Sequence, residues 1–164
     1  MRKVMIALGA VLLLALSIGV AAGAGPTTVA VRGAERFVPN AMIQSTFRFS
    51  PGRISVTSGQ EVTWVDEGQA AAPHTVTVVA SLPATIEEVF GCEPCADALA
   101  AHGLFGGEIV PVVEAENAGL DSVGDSLLFL PGGSVSAVVS APAGTTLLYL
   151  CALHPWMQGS ISVA

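Results

Sequence analysis

The stretch LYLCALHPWMQGSISV, residues 148–163, decides how this chain is read. It opens on a strand-like run, Leu148-Tyr149-Leu150, and closes on another, Ser160-Ile161-Ser162-Val163. Between them stand Cys151, His154 and Met157, three residues apart. A chain with only three cysteines and three histidines thus sets a thiol, an imidazole and a thioether in one turn. A turn that folds back on itself can aim all three at one point. Each residue also has an ordinary reading: a small buried hydrophobe at a strand end, a surface imidazole, a core methionine.

Working outward, short runs rich in Val, Thr, Ile and Leu alternate with Gly, Pro and Ser turns. TTVAV (27–31), RISVTSG (53–59), QEVTWVDE (60–67) and HTVTVVAS (74–81) come first. DSLLFL (125–130), GSVSAVVSA (133–141), TTLLYLCA (145–152) and GSISVA (159–164) follow. Pro131-Gly132-Gly133 and Pro142-Ala143-Gly144 mark turns. About eight short strands at this spacing predict an all-β, Greek-key, two-sheet β-sandwich. Residues 82–124 interrupt it: TIEEVFGCEPCADALAAHGLF has near-helical apolar spacing and an acidic first turn, and GGEIVPVVEAENAGLDSVG reads as irregular loop. The fold expected is therefore a sandwich with a partly helical insertion, either a lid or a structural addition.

Residues 1–24 begin with Arg2 and Lys3, continue as an apolar run of about 17 residues, and end in small residues at Ala22-Gly23-Ala24. That order describes a secretory signal peptide. A retained membrane anchor is the alternative, since the run is near the lower limit for a span. Residues 25–164 then form one domain. Four arginines, no lysine and thirteen acids leave it a net charge of −9, which argues against nucleic acid and anionic membrane surfaces as partners. In an oxidising compartment an odd cysteine count asks for an explanation. Cys92 and Cys95 are close neighbours and Cys151 is alone. The CEPC pair reads as a disulfide, a redox dithiol, or a second metal site with His102 as third ligand. It lacks the following histidine of a haem attachment pair.

A metal that shuttles between Cu(I) and Cu(II) needs ligands acceptable to both states. One thiolate and two imidazoles in a plane, with a weak axial thioether, meet that need. Zinc would accept Cys and His but gains little from a thioether. The second imidazole must come from elsewhere, and His74 opens the run HTVTVV. Here the sequence resembles the cupredoxins, the small blue copper proteins. The C-x2-H-x2-M spacing with Pro155-Trp156 inside it is most similar to the amicyanins, within a wider plastocyanin-like group. FRFSPGRISVTSGQEVTWVDEG followed by PHTVTV is similar to the family's block around its first copper histidine, and PAGTTLLYLCALHPWMQGSISV to its last hairpin.

The resemblance implies a cupredoxin domain over 25–164 with one copper ion (Cu(I)/Cu(II)). It makes His74, Cys151 and His154 the equatorial ligands and Met157 the axial one. It further implies that the His154 edge reaches the surface within an apolar electron-exit patch of Pro73, Leu153, Pro155 and Trp156. The sequence departs from the family at Thr75, where Asn is common, at Ala152, where a hydroxyl residue is common, and at Asp66, where Asn is common. The function implied is a type 1 copper protein, a monomeric, secreted or periplasmic one-electron carrier that serves a redox partner such as an oxidoreductase or a cytochrome. It is not an enzyme in itself, because a second copper site would need more histidines than the one left, His102. Copper storage or delivery is the alternative.

Overall fold

The computed structural model describes residues 27–68 and 72–164, so the expected leader at 1–24 lies outside the described residues. In chain order the strands are β1 (Thr27–Arg32), β2 (Glu35–Val38), β3 (Met42–Ser45), β4 (Arg48–Ser50), β5 (Arg53–Val56), β6 (Gln60–Asp66) and β7 (His74–Val79). Two helices follow, α1 (Ile86–Phe90) and α2 (Glu93–Ala101). The remaining strands are β8 (Val112–Val113), β9 (Ser126–Phe129), β10 (Ser134–Val139), β11 (Thr146–Cys151) and β12 (His154–Val163). No helix among the described residues is long and apolar enough to cross a membrane.

One sheet runs β10-β6-β1-β4 and the other β5-β12-β11-β7-β9-β8, with β2 and β3 as a separate hairpin. Neighbouring strands are often distant in sequence, as the Greek-key crossing requires. The pattern of β6 shows why the sheets pack. Val62, Trp64 and Asp66 point inward while their neighbours are exposed or half-buried, so one face of the strand is core and the other is wet. Trp64 and Tyr149 meet edge to face in the interior, with ring centroids 6.0 Å apart. Gly159 on β12 makes that possible: a Cβ there would run into the Tyr149 ring.

Strand β7 behaves differently. All six of its residues are buried, which one sheet face alone cannot achieve. The inserted segment covers its outer side, where Val79, Leu150 and Ala152 pack with Cys95 and Ala98 of α2 in a second apolar cluster. Thr85 caps α1 through a capping box with Glu88, and Pro94 sits in the first turn of α2. Cys92 and Cys95 are joined by a disulfide across the start of α2.

Two features differ from the sequence reading. The β2–β3 hairpin was not anticipated; it leaves Phe37 and Ile43 exposed and turns through Asn40 at φ 60°, so it carries no alternation to betray it. β12 begins at His154 rather than at Gly159, because Cys151 pairs with His154 directly across the turn, with a register shift after Leu150.

Candidate metal centre

The end of the sandwich where β7, β11 and β12 meet gathers the candidate ligands. His74 is the first residue of β7, Cys151 the last of β11 and His154 the first of β12. The register of β7 on β11 sets Leu150 opposite Thr77, which brings the start of one strand beside the end of the other. Cys151 Sγ lies 3.5 Å from His154 Nδ1 and 3.9 Å from His74 Nδ1. The three ligand atoms all lie within 4.8 Å of one another. Ligands at about 2.0 Å (nitrogen) and 2.3 Å (sulfur) from one ion, 120° apart, would stand about 3.7 Å from each other. The two observed separations bracket that value, so the sulfur and the two imidazoles can reach one ion. Met157 is three residues beyond His154, fully buried, in the same apolar cluster as Cys151.

The surroundings set the protonation of each donor. Burial, reinforced by the neighbouring His154, lowers His74 from 6.5 to about 4 against the pull of Asp66. Burial also lowers His154, opposed by Glu35. Both imidazoles therefore present free lone pairs at neutral pH. Burial pushes the Cys151 thiol up, while the amides of Thr75, Leu153 and His154 and the Thr75 hydroxyl favour its thiolate. The Thr75 amide donates to Cys151 Sγ at 3.3 Å. The Thr75 hydroxyl accepts from the Ala152 amide at 2.7 Å and so ties the two ligand strands together. Thr75 thereby clamps the start of β7 to the end of β11. Asp66 accepts from the Gly68 amide at 2.7 Å and the Gly132 amide at 2.8 Å, holding two adjacent turns.

Sequence reasoning missed the aromatic wall. Phe47 places its ring 5.0 Å from that of His74 and 5.1 Å from that of His154, and Phe129 lies 5.8 Å from His74. The alternation of FRFS just before Pro51 was the available signal for Phe47. The exit patch also differs from expectation. His154 is buried, with 6 % of its surface exposed, and Pro155 is buried too. Pro73 and Leu153 are half-buried, and Trp156 alone of the five is exposed, its ring 5.3 Å from that of His154. The physical reason is the unanticipated hairpin: Glu35 of β2 sets Oε1 3.6 Å from His154 Nε2 and lies over the edge that was expected to be open. His102 is not drawn into a second metal site with the CEPC pair. Both its nitrogens are engaged, with the Val110 carbonyl and the Ser126 hydroxyl, and both cysteines are in their disulfide.

No family model matches the chain, and no curated protein matches it. Among solved structures it is similar to a reduced auracyanin from the photosynthetic bacterium Roseiflexus castenholzii, 18 % identical, covering 87 % of this chain and 98 % of that one at a TM-score of 0.48. It is similar to auracyanin A, a "blue" copper protein from Chloroflexus aurantiacus, at 21 % identity, 85 % and 100 % coverage and a TM-score of 0.46. A purple cupredoxin from Nitrosopumilus maritimus is 14 % identical over 84 % of this chain and 99 % of that one, with a TM-score of 0.45. These neighbours are all cupredoxins, the family that the chain's own motif spacing resembles.

Proposed function

We propose that this chain serves as an extracytoplasmic one-electron carrier, in which His74, Cys151, His154 and Met157 would hold one copper ion. One observation carries the reading: a thiol and two imidazoles, all three buried, converge with the sulfur 3.5 and 3.9 Å from the two ring nitrogens. Copper bound there supplies the Cu(I)/Cu(II) couple. The protein's part is to keep the donors in place. Strand register fixes His74 against Cys151, amides hold the sulfur, and Phe47 and Phe129 keep water from the imidazoles. A site so held gives both oxidation states nearly one geometry, so little rearrangement accompanies each electron. Trp156, exposed and against His154, is the part of the Pro73, Leu153, Pro155 and Trp156 patch that a redox partner can touch.

A carrier rather than an enzyme is favoured by histidine number. With His74 and His154 in the site, the sequence leaves only His102, which is already tied on both sides. The Cys92–Cys95 disulfide and the leader-like residues 1–24 fit an oxidising, extracytoplasmic compartment. The test is to add Cu(II) to the purified chain and record visible and EPR spectra. An intense sulfur-to-copper charge-transfer band that bleaches and returns through redox cycles is expected. Absence of that band refutes the blue-copper reading. A band present at first, with rapid loss of Cu(I) to a chelator, would move the assignment to copper storage or delivery.

A further inference from the structure

The Cys92–Cys95 disulfide closes a ring over only the first turn of α2. A loop that short gains little from a cross-link. The helix is held without it, by Ala98 and Leu99 in the apolar cluster with Val79 and Leu150. The two cysteines are unequal in access. Cys95 is buried in that cluster. Cys92 is half-buried and lines an open cleft of about 460 Å³ with Val79, Leu82, Pro83, Pro94 and Leu150. Gln158 of β12 donates to the Pro83 carbonyl at 2.7 Å and ties that wall of the cleft to the sheet.

The surroundings select the reactant. Helix α1, just ahead of the disulfide, buries none of its residues. Ile86 and Phe90 are four positions apart, so they share one face of it, and they are 61 % and 83 % exposed. Phe90 stands two positions before Cys92. An apolar helix face left uncovered beside a disulfide fits the surface of another protein. Glu88 and Glu93 line the same cleft, and residues 82–124 hold no lysine or arginine. That charge turns away small anionic thiols.

We propose that Cys92–Cys95 is a second redox centre, which takes two electrons from a dithiol presented by a partner protein. One partner thiol, as its thiolate, attacks Cys92 Sγ from the cleft. The bond between the two chain sulfurs breaks, and its electron pair leaves on Cys95 Sγ, in the first turn of α2, where the helix end favours negative charge. The partner's second thiolate then attacks its own sulfur in the mixed disulfide and releases Cys92 as thiolate. The two protons lost by the partner's thiols end on Cys92 and Cys95. The partner dithiol becomes a disulfide, and the chain's disulfide becomes a dithiol. Copper plays no part in the step.

The metal-free chain is used for the test, so its outcome is separate from that of the copper spectra. Reduced thioredoxin is the probe for a protein dithiol, dithiothreitol for a small neutral dithiol and reduced glutathione for a small anionic thiol. Thioredoxin is expected to open the disulfide while the chain keeps its fold, read from the fluorescence of buried Trp64. A thioredoxin whose second motif cysteine is replaced by serine is expected to stay bound through Cys92, located by peptide mass. Ile86→Ser with Phe90→Ser, both at exposed positions, should slow thioredoxin about tenfold and leave dithiothreitol unchanged. A bond that opens only after urea unfolds the chain is structural and overturns the proposal, as does an adduct on Cys95 or a loss of fold on reduction. Glutathione as fast as thioredoxin, or a double variant that thioredoxin reduces at the natural rate, overturns the assignment to a protein partner.

Discussion

Phe47→Ala removes the one ring that touches both candidate imidazoles. The residue is 3 % exposed and sits just ahead of β4, at the edge of the four-stranded sheet. Truncating a buried Phe to Ala costs about 3–5 kcal/mol, through lost transfer energy and the cavity left behind. Two facts place the cost within that span. The ring contacts at 5.0 and 5.1 Å to His74 and His154 are lost as well, each pair being worth about 0.5–1.5 kcal/mol beyond area. Against this, a cavity at a sheet edge next to two imidazoles can admit water, which lessens the penalty. The expected loss is about 3–4 kcal/mol, a large share of the stability of a domain this size. At a urea slope of about 2 kcal/mol per M, the midpoint falls by about 1.5–2 M.

The assay is urea denaturation of the metal-free chain, followed by fluorescence of the buried Trp64. Phe47→Leu keeps most of the volume and should cost less than about 1.5 kcal/mol. In the copper-loaded chain Phe47→Ala should also release metal faster, about tenfold for each 1.4 kcal/mol of the loss that falls on the site. A Phe47→Ala loss below about 1 kcal/mol, or a Leu variant as damaged as the Ala variant, would refute the view that this ring packs the site shut.

Three further outcomes follow from the structure. His74 falls from 6.5 to about 4 on folding, so below 6.5 the unfolded metal-free chain binds a proton that the folded one refuses. Stability of the metal-free chain should therefore rise with pH between about 4 and 6.5, by up to about 3 kcal/mol from His74, and a shallower profile in His74→Gln, with the remainder from His154, would identify the group. Gly159→Ala drives a methyl into the Tyr149 ring and should cost about 1–3 kcal/mol in thermal or chemical denaturation. Cys92→Ser with Cys95→Ser opens a very short loop and should cost only about 2 kcal/mol by the same measurement, with the copper spectrum retained.

How much of this was legible in the sequence depended on whether a residue's neighbours were local. The alternation in QEVTWVD reads as a half-buried strand because β6 has one face on the core. The turn at 151–157 reads as a metal loop because its donors lie within seven residues. HTVTVV also reads as a strand, yet nothing local says that both its faces are buried; that comes from α2 packing on its outer side. The hairpin at 35–45 has no alternation, and its effect on His154 is carried by Glu35, which is 119 positions away. His102 and Ser126 meet only because the insertion folds back on β7 and β9. No spacing rule could have joined them.

The ligand set also shows why such a centre needs the whole sandwich. His74 and Cys151 belong to neighbouring antiparallel strands whose register is fixed over Leu148–Val79, Tyr149–Val78 and Leu150–Thr77. A slip of one residue would turn every side chain of β7 to its other face and carry His74 away from the sulfur. What prevents the slip is remote from the site. The inward residues Val76 and Val78 are locked in the main core, and Val79 is locked beneath α2. The distance between Cys151 Sγ and His74 Nδ1 is thus set by burial along the full length of two strands. Polar substitutions at Val78 should therefore loosen the metal centre although they touch none of its ligands, whereas substitutions at exposed Val138 on the outer face of β10 should not.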